Sequence, residues 1–420
     1  MKSSETAVSI ILPCRDADPA LLKRAVDSVL AQTFADFELL IVDDGSKEPF
    51  QEALREQAQR DDRIRLLRQE PSGVSAARNR GIREATGEFI TLLDADDTVS
   101  TWFLEEAVGA IRKLNADFVI GGTCYIWEGQ EEPDDSGAAG SAQKPDPASG
   151  ASDMADMTDT ASAAGSAGRR PPDSDPVKVA VELTRERLPL TRAECIGEPY
   201  RFDDKAYINR GIAARLVRRE LLTEEFLFPE KLRIAEDASW NLAIVNNFRG
   251  YYVPGLWYYY WENGKSVSNR YNPRVIRDME DHLAVIRGQL DLTNDTEYRA
   301  FMDLMMDDLR YIYKCMVGNP RWKESVLRRR KATAAQGRDT GAMQGMQGRK
   351  AAAARNRNAY AVQRRKTLSH LYKDLPWREI GEKRYLRLTS ARNRWKAELY
   401  RRRLLFAVWS LRRRLGTEGL

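Results

Sequence analysis

At 420 residues and 47.8 kDa the chain is long enough to bury a full core and to hold two or three structural units. Its mean hydropathy is −0.56 and no run approaches the roughly 18 uninterrupted apolar residues of a membrane span, so a soluble, cytoplasmic protein is expected. The net charge of +5 conceals a segregation: from Arg321 onward 28 Lys and Arg stand against 7 Asp and Glu, a net +21 that leaves the first 320 residues at −16. The opening residues, Met1 to Thr6, run straight into a short apolar segment ending at Pro13, without the apolar core and cleavage site of a signal peptide. Four scattered cysteines, Cys14, Cys124, Cys195 and Cys315, form no C-x-x-C pair and are read as buried apolar residues. Only two histidines occur, His282 and His370, which argues against Ser-His or Cys-His chemistry and leaves carboxylates to carry any catalysis.

The first 125 residues alternate strand and helix signals, the pattern of a parallel sheet with helices on its faces. Val8 to Leu12 is an apolar strand stopped by Pro13, Leu21 to Gln32 has helical periodicity, and Phe37 to Val42 is a second strand. A helix over Phe50 to Arg60, a strand over Ile64 to Leu67, a helix over Val74 to Ala85 and a strand over Phe89 to Leu93 follow. Ligand-binding loops are then expected at the carboxyl ends of the strands. From Glu128 to Pro176 the composition turns to Ala, Ser, Gly, Asp and Pro, with 11 acids against 3 bases, and reads as a disordered acidic insertion (128–176) within one domain. Mixed α/β character returns from Val177 to about Met279, with the aromatic run Trp257-Tyr258-Tyr259-Tyr260-Trp261. The remainder reads as mostly helical, interrupted by an Arg, Gln, Gly and Ala-rich stretch from Arg329 to Arg357 and closed by a basic amphipathic helix from Arg401 to Leu415.

Four motifs fall on strand ends or helix starts. Asp43-Asp44-Gly45-Ser46 ends the second strand, where a carboxylate can accept hydrogen bonds from a nucleobase or ribose; a simple turn explains it equally well. Gly73 to Asn79 opens a helix with small residues, so Arg78 could meet a phosphate, although close helix packing needs the same residues. Asp94-Ala95-Asp96-Asp97 puts three carboxylates into four residues after an apolar strand, a repulsive cluster that a divalent cation and a diphosphate would relieve; an N-cap accounts for only one of the three. Glu236-Asp237 stands at a helix start, where acids can simply complement the helix dipole.

Taken in order, these stretches resemble the inverting family 2 glycosyltransferases of the GT-A fold, in particular bacterial enzymes of cell-surface polysaccharide assembly. The likeness rests on V-S-I-I-L-P, on S-V-L-A-Q-T-F-A-D-F-E-L-L-I-V-D-D-G-S, on G-V-S-A-A-R-N-R-G-I and on D-A-D-D. It spans Val8 to Ser46, Pro71 to Asp97 and Gly211 to Arg270. It implies an α/β fold, a Rossmann-like, mostly parallel sheet flanked by helices, in a catalytic domain over 1–280, followed by a helical, basic extension over 281–420. Carried over by position, it makes Asp44 a contact to the nucleotide base with Pro13 and Arg15 as the facing wall, and sets Asp94 near the ribose or metal. It makes Asp96 a ligand of Mn2+ or Mg2+ bridging the phosphates and Asp237 the general base with Glu236 beside it. Ser266 to Arg270 would close over the diphosphate or acceptor. Where the family often carries an aromatic residue and Asn after the first strand, this chain has Arg15-Asp16, so no preference for uridine over guanosine or thymidine follows. The Gln-x-x-Arg-Trp signature and membrane spans of processive synthases are absent, which favours transfer of single sugars.

The expected reaction is therefore single displacement from a nucleoside-diphosphate sugar to a hydroxyl of a lipid-linked or cell-surface glycan, with Asp237 as base and the metal on the leaving group. Sugar-nucleotide nucleotidyl transfer is a rival, although Pro13-Cys14-Arg15-Asp16 lacks the Gly-rich basic loop such enzymes carry after the first strand. A non-catalytic scaffold is a third reading. Arginines interleaved with apolar residues over Arg401 to Trp409 point the tail to an anionic membrane at the inner face of the plasma membrane. No RNA- or DNA-binding motif accompanies the charge, and no nucleic acid partner is expected. The aromatic run and the helical extension are expected to contribute to the acceptor surface.

Overall fold

The computed structural model describes residues 6–127, 180–183, 211–262, 271–317, 321–322, 362–364, 366–371, 380, 383–389, 391–403 and 405. The acidic insertion, the stretch from Arg329 to Arg357, Ser266 to Arg270 and most of the expected terminal helix lie outside these residues. The chain divides into two compact units, one reaching Asn263 and taking in 284–290, the other holding 264–283 and Asp291 to Glu418.

In the first unit, β1 (Val8–Cys14), β2 (Phe37–Asp43), β3 (Ile64–Arg68) and β4 (Phe89–Leu92) form parallel ladders in the order β3-β2-β1-β4. β1 and β2 are buried over their whole lengths, as strands covered by helices on both faces must be. The sheet continues through β8 (Arg215–Arg218), β6 (Phe118–Trp127) and β9 (Gly250–Glu262) to β5 (Thr98–Val99), with β7 (Val181–Leu183) also on β9. Antiparallel pairs enter at β8, which lies between β4 and β6.

β1 does not stop at Pro13; it runs on to Cys14 in register with Asp43. Cys14 C=O accepts from the Asp44 N–H on the β2 side and Ile11 C=O from Leu93 on the β4 side, so Pro13, of the same parity as Ile11, lacks its N–H on the β4 side. There the β4 ladder has already ended at Ile11–Leu92, and no hydrogen bond is lost. The helix α1 (Pro19–Leu30) begins two residues before its apolar periodicity because Asp18 caps it, accepting from Ala20 N–H at 3.0 Å, with Pro19 at the position where a missing N–H is harmless. The helices α2 (Phe50–Ala58), α3 (Val74–Glu84) and α4 (Phe103–Lys113) follow the expected rhythm. α3 packs so closely on β1 that a Cβ at Gly81 would stand 2.4 Å from Ile11 Cγ2, which is the packing demand for small residues that the sequence suggests.

At the amino-terminal ends of the strands, buried Glu38 Oε1 accepts from Ser9 Oγ and from the Thr86 N–H and hydroxyl, each at 2.7 Å, while Arg65 pairs with Oε2 at 2.8 Å. Burial raises its pKa, but these donors outweigh burial and hold it below the ordinary carboxylate range. This network fastens the end of the sheet opposite the motif-bearing loops.

In the second unit, α7 (Asp295–Ile312) is capped by Asn294 and buries Phe301, Met305, Leu309 and Ile312. Its buried Asp303 accepts from Tyr385 (2.6 Å), Thr389 (2.9 Å) and Asn393 (2.8 Å), which fixes α8 (Lys383–Leu388) and α9 (Ala391–Arg401) against it. α9 ends at Arg401 and Arg403 takes a positive φ of 59°, so the helix expected to start at Arg401 does not run through these residues. α6 (Val275–Gly288) precedes α7 in the chain, its residues 275–283 counted with this unit.

Candidate active site

The order β3-β2-β1-β4 reverses direction at β1, and the crevice at such a switch point, outside the strands' carboxyl ends, is where open α/β sheets bind ligands. The loops after β1 and β2 are knitted together there. Asp43 accepts from Ser46 N–H at 2.7 Å, Ser46 Oγ accepts from Asp16 N–H at 2.9 Å, and Asp16 accepts from Lys47 N–H at 2.8 Å. Gly45 has φ +74° and a side chain there would meet Pro71 Cγ at 2.5 Å, so the turn admits only glycine. Cys14 is buried beneath, and its thiol is pushed well up by burial and then by Asp43 and Asp44, which leaves it inert.

Asp44 is 3% exposed, and its carboxylate is already engaged. Oδ1 accepts from Gln69 Nε2 at 2.9 Å and Ser72 N–H at 2.6 Å, Oδ2 accepts from Gly73 N–H at 2.9 Å, and exposed Arg15 stands 3.8 Å away. The carboxylate thus sits on the amino terminus of α3, where the helix dipole favours it. Pro13 lines the end of β1 beside this loop system.

Arg78 is not on an open phosphate path; it is 4% exposed, and its fork bridges two carboxylates from distant parts of the chain. Nη2 donates to Asp94 at 3.0 Å and Nη1 to Glu236 at 2.8 Å. Burial alone would lower its pKa, but the charges of Asp94, Glu236 and Asp237 raise it further above its already high value, so the cation is permanent. Arg78 Nε and Ser75 Oγ, both buried on α3, have no hydrogen-bond partner.

Glu236 and Asp237 begin α5 (Glu236–Asn247), as expected. Ala235 before them is left-handed (φ 56°), its carbonyl accepting from both Ser239 N–H and Oγ at 3.1 Å. α5 is locked to α3 through residues 226–230. Trp240 stacks on Phe228 (4.6 Å, 11°) and donates to Phe226 C=O, while buried Asn79 accepts from Phe228 N–H (2.8 Å) and donates to Phe228 C=O (3.0 Å) and Glu230 (2.9 Å). Glu236 is tied to Arg78 and only 12% exposed, whereas half-buried Asp237 meets Arg78 through charge and takes the Ala238 N–H on Oδ1.

The Asp94–Asp97 loop follows β4. Asp97 is no N-cap, since α4 begins at Phe103; it is 1% exposed, accepting from Tyr258 Oη at 2.7 Å and Trp261 N–H at 2.9 Å. Burial, then Asp96 and Asp94, push its carboxyl well above the usual range. Asp94 and Asp96 remain as hard oxygen donors on one short loop. Among the described residues no group of three or more His, Cys, Asp or Glu could hold a metal by itself. Two carboxylates with substrate phosphates and water are, however, the usual company of Mg2+, so this donor set fits a cation that arrives with a diphosphate.

Tyr251, Tyr252, Trp257, Tyr258 and Tyr259 do not form an acceptor surface; all are buried on β9, with Trp257 fully enclosed. Only Tyr260 and Trp261 reach the half-buried zone. Sequence reasoning missed Asn79, Tyr258, Trp261 and Arg24, whose roles depend on partners 72 to 164 positions away. Of these only Asn79 carried a signal, inside the G-V-S-A-A-R-N motif.

Residues 9–134 match the profile described as Glycosyl transferase family 2, and the chain carries a glycosyltransferase domain of that family. Glu236 and Asp237 lie beyond the matched segment. The glycosyltransferase EpsJ of Bacillus subtilis is 37% identical over 112 residues, covering 27% of this chain and 32% of that protein. The succinoglycan biosynthesis protein ExoW of Rhizobium meliloti is 34% identical over 127 residues, 29% of this chain and 40% of the other. The match thus spans about a third of such relatives' length. The crystal structure of S. aureus TarS 1-349 in complex with UDP-GlcNAc aligns with a TM-score of 0.53 at 16% identity, covering 98% of this chain and 92% of that one, which shows a shared GT-A fold.

Proposed function

We propose that the chain is a metal-dependent, inverting glycosyltransferase of bacterial polysaccharide assembly, moving a single sugar from a nucleoside-diphosphate sugar to a hydroxyl of a lipid-linked or cell-surface glycan. The observation that carries this is the Arg78 bridge, which brings the start of α5, with Asp237, to the Asp94–Asp96 loop across a sequence separation of 142 residues between Asp94 and Glu236. On this reading the crevice offers a base at the start of α5 and a cation site on the loop after β4.

Asp237 takes the acceptor hydroxyl proton as that oxygen forms its bond to the anomeric carbon and the bond from that carbon to the diphosphate oxygen breaks, with inversion. Glu236, held by Arg78, adds no second base; it anchors the helix start that presents Asp237. Asp94 and Asp96 would hold Mn2+ or Mg2+, which when bound neutralises the departing diphosphate. The loop of Pro13, Arg15 and Asp44 is the proposed seat of the nucleotide base, Asp44 exchanging one backbone N–H for it.

A panel of UDP-, GDP- and dTDP-sugars with Mn2+ tests the reading. Metal-dependent release of nucleoside diphosphate from one donor, abolished by EDTA, is the expected result; pyrophosphate-dependent exchange would instead mark a nucleotidyltransferase, and no turnover or binding with any donor a scaffold.

No helix among the described residues is long and apolar enough to cross a membrane. We place the basic tail on an anionic bilayer, near a lipid-linked acceptor, because the net +21 from Arg321 onward lies beside apolar residues. Flotation with phosphatidylglycerol liposomes should carry the full chain, and replacing Arg412, Arg413 and Arg414 by Gln should weaken it at low salt, since each basic residue contributes about 1 kcal/mol. Equal flotation of both would remove the tail from the account.

A further inference from the structure

We propose that β9 is the positioning element of the metal loop: the Tyr258 hydroxyl, and Trp261 together with Arg24, hold the backbone of residues 94–98 so that Asp94 and Asp96 are presented together to a divalent cation. This rests on the reading that those two carboxylates take the metal.

The clamp has three parts. Tyr258 Oη accepts from the Asp94 N–H at 3.3 Å and donates to Asp97 Oδ2 at 2.7 Å, joining the first and last acids of the motif through one buried oxygen. Trp261 closes the other side, its N–H donating to Asp97 Oδ1 at 2.9 Å and its indole Nε1 to Thr98 Oγ1 at 3.0 Å. The face of the same indole carries the Arg24 guanidinium at 3.7 Å, and Arg24 Nη2 donates to the Asp96 carbonyl at 2.7 Å. Beyond the motif, Thr98 and Val99 pair with Tyr259 and Tyr258, continuing the loop into the sheet.

Every residue from Asp94 to Thr98 except Ala95 is therefore tied to β9 or to Arg24 resting on it, and none of these bonds uses the carboxylate of Asp94 or Asp96. Two like charges two residues apart repel, and a flexible loop would let them diverge. Fixing the backbone keeps them together, while Arg78, 3.0 Å from Asp94 Oδ1, offsets part of the charge from the other side. Asp97, buried and bonded by Tyr258 and Trp261, is the internal anchor of the loop rather than a third ligand.

The test titrates Mn2+ alone into the full chain, counting unbound ion by electron paramagnetic resonance, with a thermal melt of each variant. Tyr258→Phe removes only the hydroxyl, and Asp96→Asn removes a ligand. Glu38→Gln loosens the opposite end of the same sheet and serves as control. Outer partners of ligands typically change metal affinity by about tenfold or more, so Tyr258→Phe and Asp96→Asn should each weaken Mn2+ binding to that extent while Glu38→Gln leaves it unchanged. If Tyr258→Phe binds Mn2+ as the parent does while Asp96→Asn does not, the positioning role is refuted and the metal reading stands. If Asp96→Asn binds as the parent does, the metal reading fails and takes the positioning role with it. Equal weakening by Tyr258→Phe and Glu38→Gln would reduce the effect to general loosening and overturn the proposal. Should Tyr258→Phe not fold, Arg24→Ala, a half-buried position on α1, removes the Asp96 carbonyl bond and the contact with Trp261, and is read in the same way.

Discussion

Asp237→Asn should lower kcat by about 10²- to 10⁴-fold, the span a positioned general base contributes, while leaving the donor KM near its parent value. The amide keeps the size and the Ala238 N–H contact of the carboxylate but cannot take a proton. Glu236 cannot substitute, because its carboxylate is bonded to Arg78 at 2.8 Å and turned into the protein. Steady-state rates with the donor found in the panel decide the matter. A variant within about threefold of the parent, against a base contribution of at least about 10²-fold, would move the base elsewhere.

Arg78→Met should be the most destabilising of the single changes considered. It leaves Glu236 (12% exposed) and Asp94 (35% exposed) facing each other without their cation. Breaking a buried pair typically costs about 3–5 kcal/mol, and the lower end is expected because Asp94 is partly solvated. At roughly 2–4 °C per kcal/mol for a unit of this size, the melting temperature should fall by about 6–12 °C. Arg78→Lys should recover little, since a single ammonium cannot bridge both acids as the planar fork does. A melt of the Met variant within about 2 °C of the parent, less than the shift from 1 kcal/mol, would show that the bridge is not what joins α3, the β4 loop and α5.

These expectations differ in how far the sequence alone supports them. The alternation of apolar runs and amphipathic segments over the first 113 residues was legible almost element by element, because β1, β2 and β4 are fully buried and must be apolar throughout. The start of α5 at Glu236 was legible too, from paired acids ahead of an apolar run. Pro13 misled by one feature: proline ends most central strands, and only the early end of the β4 ladder makes this one harmless. The aromatic run misled more seriously, since five tyrosines and tryptophans in succession look like a sugar platform, yet alternation along a strand inside a nine-stranded sheet buries most of them.

By itself, the sequence determined the α/β class, the family of the amino-terminal domain and the list of acids available for catalysis, because strand burial, turn chemistry and short motifs are local properties of the chain. The tertiary structure alone decided which partners each acid meets. Asp44 reaches for the start of α3, Asp97 turns inward to Tyr258, and Glu236 and Asp94 share the Arg78 fork, with Asp96 and Asp237 close to them in the chain. Carboxylates of identical chemistry acquire different roles only from the donors and charges around them, and here those neighbours come from segments up to 164 residues away.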